Sequence, residues 1–278
     1  MMNKLLAANF TRLWKNKLWY VGIIVMFGWA VIMLVSTDRT NAEVPVLEDF
    51  FFQYAPVIGL FCAVFTSMFI GTEYHDGTIR NKIIVGHTRP AIYVANLIVC
   101  TVAGLIMVAV WIAVMLAIGI PLLGLFASSL SIILAYVGIT VVMIAAFVSI
   151  FTLVGMLSQN KAGAAVTTLL LLFVLFFVAS YFNNKLHEPE MYGGGPTVSE
   201  VDGEISMEMS EPEQNPDYVE GNKRKIYEFI VTFLPTGQGI MMSNMSAVRL
   251  PLLPLYSLVI VFATTACGVF LFRRKDIK

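Results

Sequence analysis

Six long apolar runs, separated by four short polar segments and one long one, set the pattern of this chain. They lie near residues 18–35, 50–72, 91–118, 131–157, 162–182 and 252–272. A helix needs roughly 20 apolar residues to cross about 30 Å of hydrocarbon. Hydrocarbon offers no partner to an unpaired backbone group, so each run is expected to be a continuous helix. The pattern therefore predicts an all-α polytopic membrane protein with six transmembrane helices, the third and fourth long enough to tilt or to project beyond the bilayer. Ahead of the first run, Leu5, Leu6, Phe10, Leu13 and Trp14 recur at helical spacing, opposed by Lys4, Arg12 and Lys15. That spacing predicts an amphipathic helix over residues 1–17, lying along the membrane surface. No small-residue cleavage pattern follows the first run, which reads as an uncleaved anchor.

Composition agrees with the pattern. Of 278 residues, 58% are hydrophobic and 13% charged, against about 45–50% and 25% in soluble domains; mean hydropathy is +0.80. A net charge of zero hides a segregation of sign, and nothing in it points to a nucleic-acid partner. Lys4, Arg12, Lys15 and Lys17 precede the first run. Arg80, Lys82 and Arg89 lie between the second and third, Lys161 between the fourth and fifth, and Arg273, Arg274, Lys275 and Lys278 follow the sixth. On the opposite side the first short loop has Arg39 alone and residues 119–130 have no base. By the positive-inside rule both termini are expected in the cytoplasm. Cys62, Cys100 and Cys267 sit in apolar runs without ligand spacing, so they read as small packing residues.

Residues 183–250 form one long polar insertion on the outer side, with eleven acids against five bases. Its first part, rich in Gly, Pro and acid, is too polar to bury a core. It holds no DxDxDG-like loop, so no calcium site is assigned. The second part, "KRKIYEFIVTFLPTGQGIMMSNMSAVRL", has an apolar stripe of Ile226, Phe229, Ile230 and Phe233, and Pro235, Gly237 and Gly239 are expected to stop that helix. One or two short re-entrant helices dipping into the outer leaflet before residues 251–278 would place Phe233, Pro235, Gly237 and Gly239 at the exit of a pathway, as candidates for an extracellular gate.

None of the six runs contains Asp, Glu, Lys or Arg. Ion-coupled carriers usually need such groups at membrane depth, so this class is disfavoured. The chain has no HExxH, GxSxG or GxxxxGK[ST] motif, and His75, His87 and His187 fall outside the runs. It is expected to be neither an enzyme nor a holder of any metal or cofactor. If ATP drives it, another chain binds the nucleotide.

Between the second and third runs stands "GTEYHDGTIRNKIIVGHTRP", residues 71–90. Glu73 is expected to be the first charge past the membrane, with Asp76 capping a short helix that starts at Gly77. Ile79 and Ile83, four apart, face the neighbouring spans while Arg80 and Lys82 point elsewhere; Gly86 ends the helix and Pro90 opens the next. With its continuation "AIYVANL", the stretch resembles the G-x-E…GT-[IL]…R…K-L pattern of ABC-2 type transporter permeases, with Gly71, Glu73, Gly77, Thr78, Ile79 and Arg89 in place and Asn96 where a Lys is common. The N-terminal helix, the six runs, the outer insertion and "FLPTGQGI" extend the likeness over essentially the whole chain, and the bacitracin and lantibiotic permeases are the most similar branch. The resemblance implies that residues 73–85 form a coupling helix, with Glu73, Asp76, Gly77, Thr78 and Arg80 contacting a separate ATPase subunit. It further implies two ATPase copies carrying ATP and Mg, a second permease half, an amphipathic peptide or lipid-like cargo, and a bacterial plasma membrane location. A non-transporting scaffold or sensor, with the outer segment as its ligand-binding part, is the competing class.

Overall fold

A computed structural model describes residues 2–36, 45–158, 160–192, 196–201, 204–209, 212–247 and 249–276, with only the backbone described at 196–201 and 204–209. Arg39, Asp202, Glu211 and Lys278 lie outside these residues. The chain runs through α1 (Met2–Trp14), α2 (Lys17–Val35), α3 (Glu48–Phe51), α4 (Ile58–His75), α5 (Thr78–Ile84), α6 (Arg89–Val114), a π-helical turn (Met115–Gly119) and α7 (Ile120–Leu123). It continues through α8 (Leu130–Leu157), α9 (Lys161–Leu186), strands β1 (Met191–Tyr192), β2 (Pro196–Val201), β3 (Glu204–Met209) and β4 (Glu213–Gln214), then α10 (Gly221–Phe233), α11 (Pro235–Ser243) and α12 (Leu252–Arg274).

Among the described residues, five helices are long and apolar enough to cross a membrane: Lys17–Val35, Arg89–Leu123, Leu130–Leu157, Lys161–Leu186 and Leu252–Arg274. The chain is thus a multi-pass helical membrane protein. The run expected as a second continuous span is divided. Pro56 brings no N–H and disfavours helix at the residue before it. The chain accordingly passes through tight turns between α3 and α4, with Ala55 N donating to Phe52 O at 2.9 Å and Val57 N to Tyr54 O at 3.1 Å. A carbonyl freed by the break, Phe51 O, accepts from Trp111 Nε1 at 2.9 Å. That bond is how buried irregular backbone is tolerated at depth. The 18-residue α4 finishes in Thr72, Glu73, Tyr74 and His75, so its polar last turn sets it apart from the five.

Pro121 has a parallel effect on the third run. Its ring would crowd the carbonyl of the preceding turn, and the helix widens into the π-helical turn just before it. Arg89–Leu123 still reads as one 35-residue helical stretch, longer than a straight crossing needs.

α8 occupies the middle, packed against α4, α6, α9 and α12, while α2 lies on α6 and α10 and α11 lie on α9. Phe52, Tyr54, Phe65, Trp111, Tyr136, Phe147 and Phe151 fill the main core. The insertion adds strands to an otherwise helical chain: β1 pairs with β4 and β2 with β3, both antiparallel. Backbone ladders need no hydrophobic core, which is how so acidic a segment acquires them.

The outer helices depart from expectation in one respect. α10 does stop ahead of Pro235, which holds Leu234 in extended conformation and itself opens α11; Gly237 and Gly239 take no part in that stop. Gly237 and Gly239 lie inside α11, where a Cβ would come within 2.1 Å of Val231 O and 2.7 Å of Ala55 O respectively. Backbones approach there because no side chain intervenes. Gly237→Ala should therefore lower stability by about 1–3 kcal/mol or more, as overpacking does. Gly28→Ala should not, because a Cβ at Gly28 meets nothing within 4 Å. Thermal unfolding of the purified variants in detergent checks the contrast.

Candidate functional site

The polar stretch at residues 71–90 is a built structure around one carboxylate. Glu73 sits in the last turn of α4 with no exposed surface. Its Oε1 accepts from both Arg12 and Lys82, and its Oε2 accepts from Asn96 Nδ2 at 2.8 Å. Asn9 Nδ2 donates to Asn96 Oδ1 at 2.9 Å, and Lys82 Nζ donates to Asn9 Oδ1 at 2.9 Å. The bonds close a ring, Glu73 to Asn96 to Asn9 to Lys82 and back, that joins α4, α6, α1 and α5. Arg12 adds a bond to Phe69 O at 2.8 Å and lies 3.6 Å over the Phe69 ring. Thr78 Oγ1 donates to Glu73 O at 3.0 Å, tying the start of α5 to the end of α4.

A carboxylate out of water is tolerable only when paired and hydrogen-bonded, and both oxygens of Glu73 are. Burial pushes the Lys82 ammonium below its ordinary value, and Glu73 opposes that push. With one acid and two bases, the cluster has an excess positive charge, and Arg12 keeps part of its side chain exposed.

The expected site residues separate here. Gly77 at φ 66°, a left-handed conformation, precedes α5, and no side chain caps that helix. Asp76 instead closes α4 and faces His75, with 3.0 Å between Asp76 Oδ1 and His75 Nδ1. Lys82 points inward, contrary to expectation, because Glu73 draws it. Ile79 is buried with Ile70, Ile92 and Tyr93. Arg80, Asn81, Ile84 and Val85 make the exposed face of α5. Of the expected contact set, Asp76 and Arg80 are on the surface, Gly77 and Thr78 form the turn, and Glu73 is interior.

α1 is amphipathic on its predicted face, with Leu6 and Phe10 packed against the core, except at its last residue. Its buried positions are Leu5, Asn9 and Leu13, while Trp14 is exposed. Asn9 lies four residues from each of the two leucines, so spacing alone placed it on the buried stripe.

Two further bases hold the same end of the bundle. Arg89 Nη1 donates to Phe272 O at 2.9 Å, Arg273 O at 3.0 Å and Lys275 O, at the end of α12. Lys275 Nζ donates to Met156 O at 3.0 Å and Leu157 O at 2.7 Å, at the end of α8. Each cation meets the carbonyls left over at a helix C-terminus, where the helix dipole favours positive charge. Burial lowers the Lys275 pKa to about 8.

At the opposite end, α11 is a clamp. Gln238 Nε2 donates to Thr232 O at 2.9 Å and Leu253 O at 3.1 Å, and its Oε1 accepts from Ser257 Oγ at 2.7 Å. Thr236 Oγ1 donates to Leu175 O at 2.9 Å. Pro235 is buried at the helix start, and Phe233 stacks with Phe229 at 5.5 Å and lies 5.7 Å from Tyr256. The four gate candidates are thus gathered around α11, two of them as backbone contacts. Between α2 and α9 an apolar cleft of about 360 Å³ leaves Leu60, Phe61, Val64 and Phe65 of α4 as its floor. Among the described residues no group of three or more His, Cys, Asp or Glu could hold a metal. No family model matches the chain, and no curated protein matches it in sequence.

Removing the carboxylate leaves two cations without it. Glu73→Gln should cost about 3–5 kcal/mol, and adding Lys82→Met should recover part of the loss, measured as a double-mutant cycle on thermal unfolding. Lys275 gives a pH test. Its folded pKa of about 8 lies below the ordinary 10.5, so the folded chain binds that proton less tightly than the unfolded one. Its contribution to stability is present above the unfolded value and lost as pH falls through about 8. Relative to Lys275→Gln, the wild-type midpoint should rise by about 1–3 °C between pH 8 and 10.5.

Proposed function

We propose that this chain is the membrane subunit of an ABC-2 type exporter, with two copies of a separate ATPase supplying ATP and Mg and a second permease half completing the pathway. The observation that carries the reading is the ring around Glu73. A short surface helix, α5, is bound through Lys82 and Thr78 to the ends of α4, α6 and α1. A push on α5 is therefore passed to two long helices and to α1 rather than absorbed by a loop. The face left free, Arg80, Asn81, Ile84 and Val85, combines charge with largely exposed aliphatic side chains, the mixture that suits a protein contact.

Asn96, which stands where the family pattern commonly has a Lys, meets Glu73, while Lys82 on α5 supplies an ammonium to the same carboxylate. Of the expected contact set, Glu73 transmits and Asp76, Gly77, Thr78 and Arg80 dock or shape the docking turn. The apolar cleft floored by α4 supports an amphipathic peptide or lipid-like cargo, and the α11 clamp, with Phe233, Pro235, Gly237 and Gly239, stands where an outer gate would close. Both termini are assigned to the cytoplasm.

Purification under gentle detergent should recover a protein of about 25–35 kDa with phosphate-loop motifs. Arg80→Glu and Ile84→Asp, both at the surface, should lower ATP hydrolysis by that complex about tenfold or more while leaving the thermal midpoint of the membrane chain unchanged. A scaffold or sensor would leave hydrolysis untouched by either substitution, and that result would remove the exporter reading.

A further inference from the structure

At the end of the bundle away from both termini, a second cleft of about 300 Å³ is lined by Glu48, Asp49, Gln53, Ser243, Asn244 and Met245. Glu48, at the start of α3, is only 6% exposed. Its Oε1 accepts from Ser128 N at 2.6 Å, while its buried Oε2 has no hydrogen-bond partner. A carboxylate oxygen shut away from water without a donor costs several kcal/mol. Among the described residues the other buried carboxylate, Glu73, has donors on both oxygens. Asp49, beside it, is exposed and uses Oδ2 to accept from Val46 N at 3.1 Å. Gln53 Nε2 is occupied, donating to Asp49 O at 2.9 Å and Ser243 O at 3.4 Å. Among the described residues the walls carry two acids and no Lys, Arg or His.

We infer that this cleft binds a primary ammonium group. Two carboxylates alone do not make up the six to eight oxygens of a calcium site, and the space exceeds what a stripped metal ion fills. An ammonium brings three N–H donors, one for the unpaired Glu48 Oε2 and others for Asp49 and the amide oxygens at the rim. The same chemistry is offered by the headgroup of an aminophospholipid and by a soluble amine. The assignment does not depend on the exporter reading.

Thermal unfolding of the purified chain in detergent tests it, with ethanolamine, tetramethylammonium and calcium chloride as probes at matched ionic strength. Ethanolamine should raise the midpoint saturably, by about 3–5 °C at ten times its half-saturating concentration; tetramethylammonium, which has no N–H, should not. Glu48→Gln keeps the shape and the acceptor for Ser128 N, and it should weaken ethanolamine binding about tenfold or more. Asp49→Asn, at an exposed position, should weaken it less while folding normally. Equal shifts with tetramethylammonium, a shift with calcium alone, or unchanged ethanolamine binding in both variants would overturn the assignment. Nanodiscs separate the sources. If phosphatidylethanolamine discs already show the raised midpoint and ethanolamine adds nothing, the ligand is the lipid headgroup. If ethanolamine raises it equally in phosphatidylethanolamine and phosphatidylcholine discs, the ligand is a soluble amine.

Discussion

One buried carboxylate governs the architecture at the end of the bundle that carries both termini. Glu73 cannot stay charged inside the protein unless donors come to it, and the donors belong to three other elements: Arg12 on α1, Lys82 on α5 and Asn96 on α6. Meeting that electrostatic demand fixes where α1 docks, which way α5 turns and how closely α4 approaches α6. Apolar packing could place these helices side by side with many small slips in register. A hydrogen-bonded ring with an ion pair in it accepts far fewer arrangements.

The other end is held by a different kind of force. Around α11 the contacts are neutral and mostly main-chain: Gly237 and Gly239 let α11 touch the backbones of α10 and of the turn before α4, and Gln238 commits all its polar atoms to α10 and α12. Such contacts depend on shape and vary little with pH or salt. Long helices linking a charged collar to a neutral clamp form a lever with dissimilar ends, one responsive to charge and the other to fit.

The long helices were legible in the sequence because length and hydropathy suffice for them; their ends differ from expectation by only a few residues. Pro56 and Pro121 were in plain view, but their effects depend on whether Trp111 or a widened turn can satisfy the freed carbonyls, and that is decided in three dimensions. The polar knot was recognised as a helix between spans, yet Glu73 was read as a surface charge because no local signal says that Arg12, Asn9 and Asn96 will converge on it. Asn9 on the Leu5–Leu13 stripe was the one available clue. Lys82 turns inward because Glu73, nine residues back across the turn, and Asn9 on α1 wait there; helical spacing gives a face without saying what meets it. In the acidic insertion composition argued against a core, and what the backbone shows there is strand pairing, β1 with β4 and β2 with β3.

The latch made by Arg89 and Lys275 has a consequence for the order in which the protein is made. Arg89 and its acceptor Phe272 O are separated by 183 residues, so α6 is synthesised long before the carbonyls that will occupy its guanidinium exist. Throughout translation of α8, α9 and the outer insertion, the cation at that end of α6 is without the α12 carbonyls that accept from it in the folded chain. Docking of the last helix is therefore what completes the coordination of a residue made nearly two hundred positions earlier, and the bundle is sealed only when the chain is almost finished.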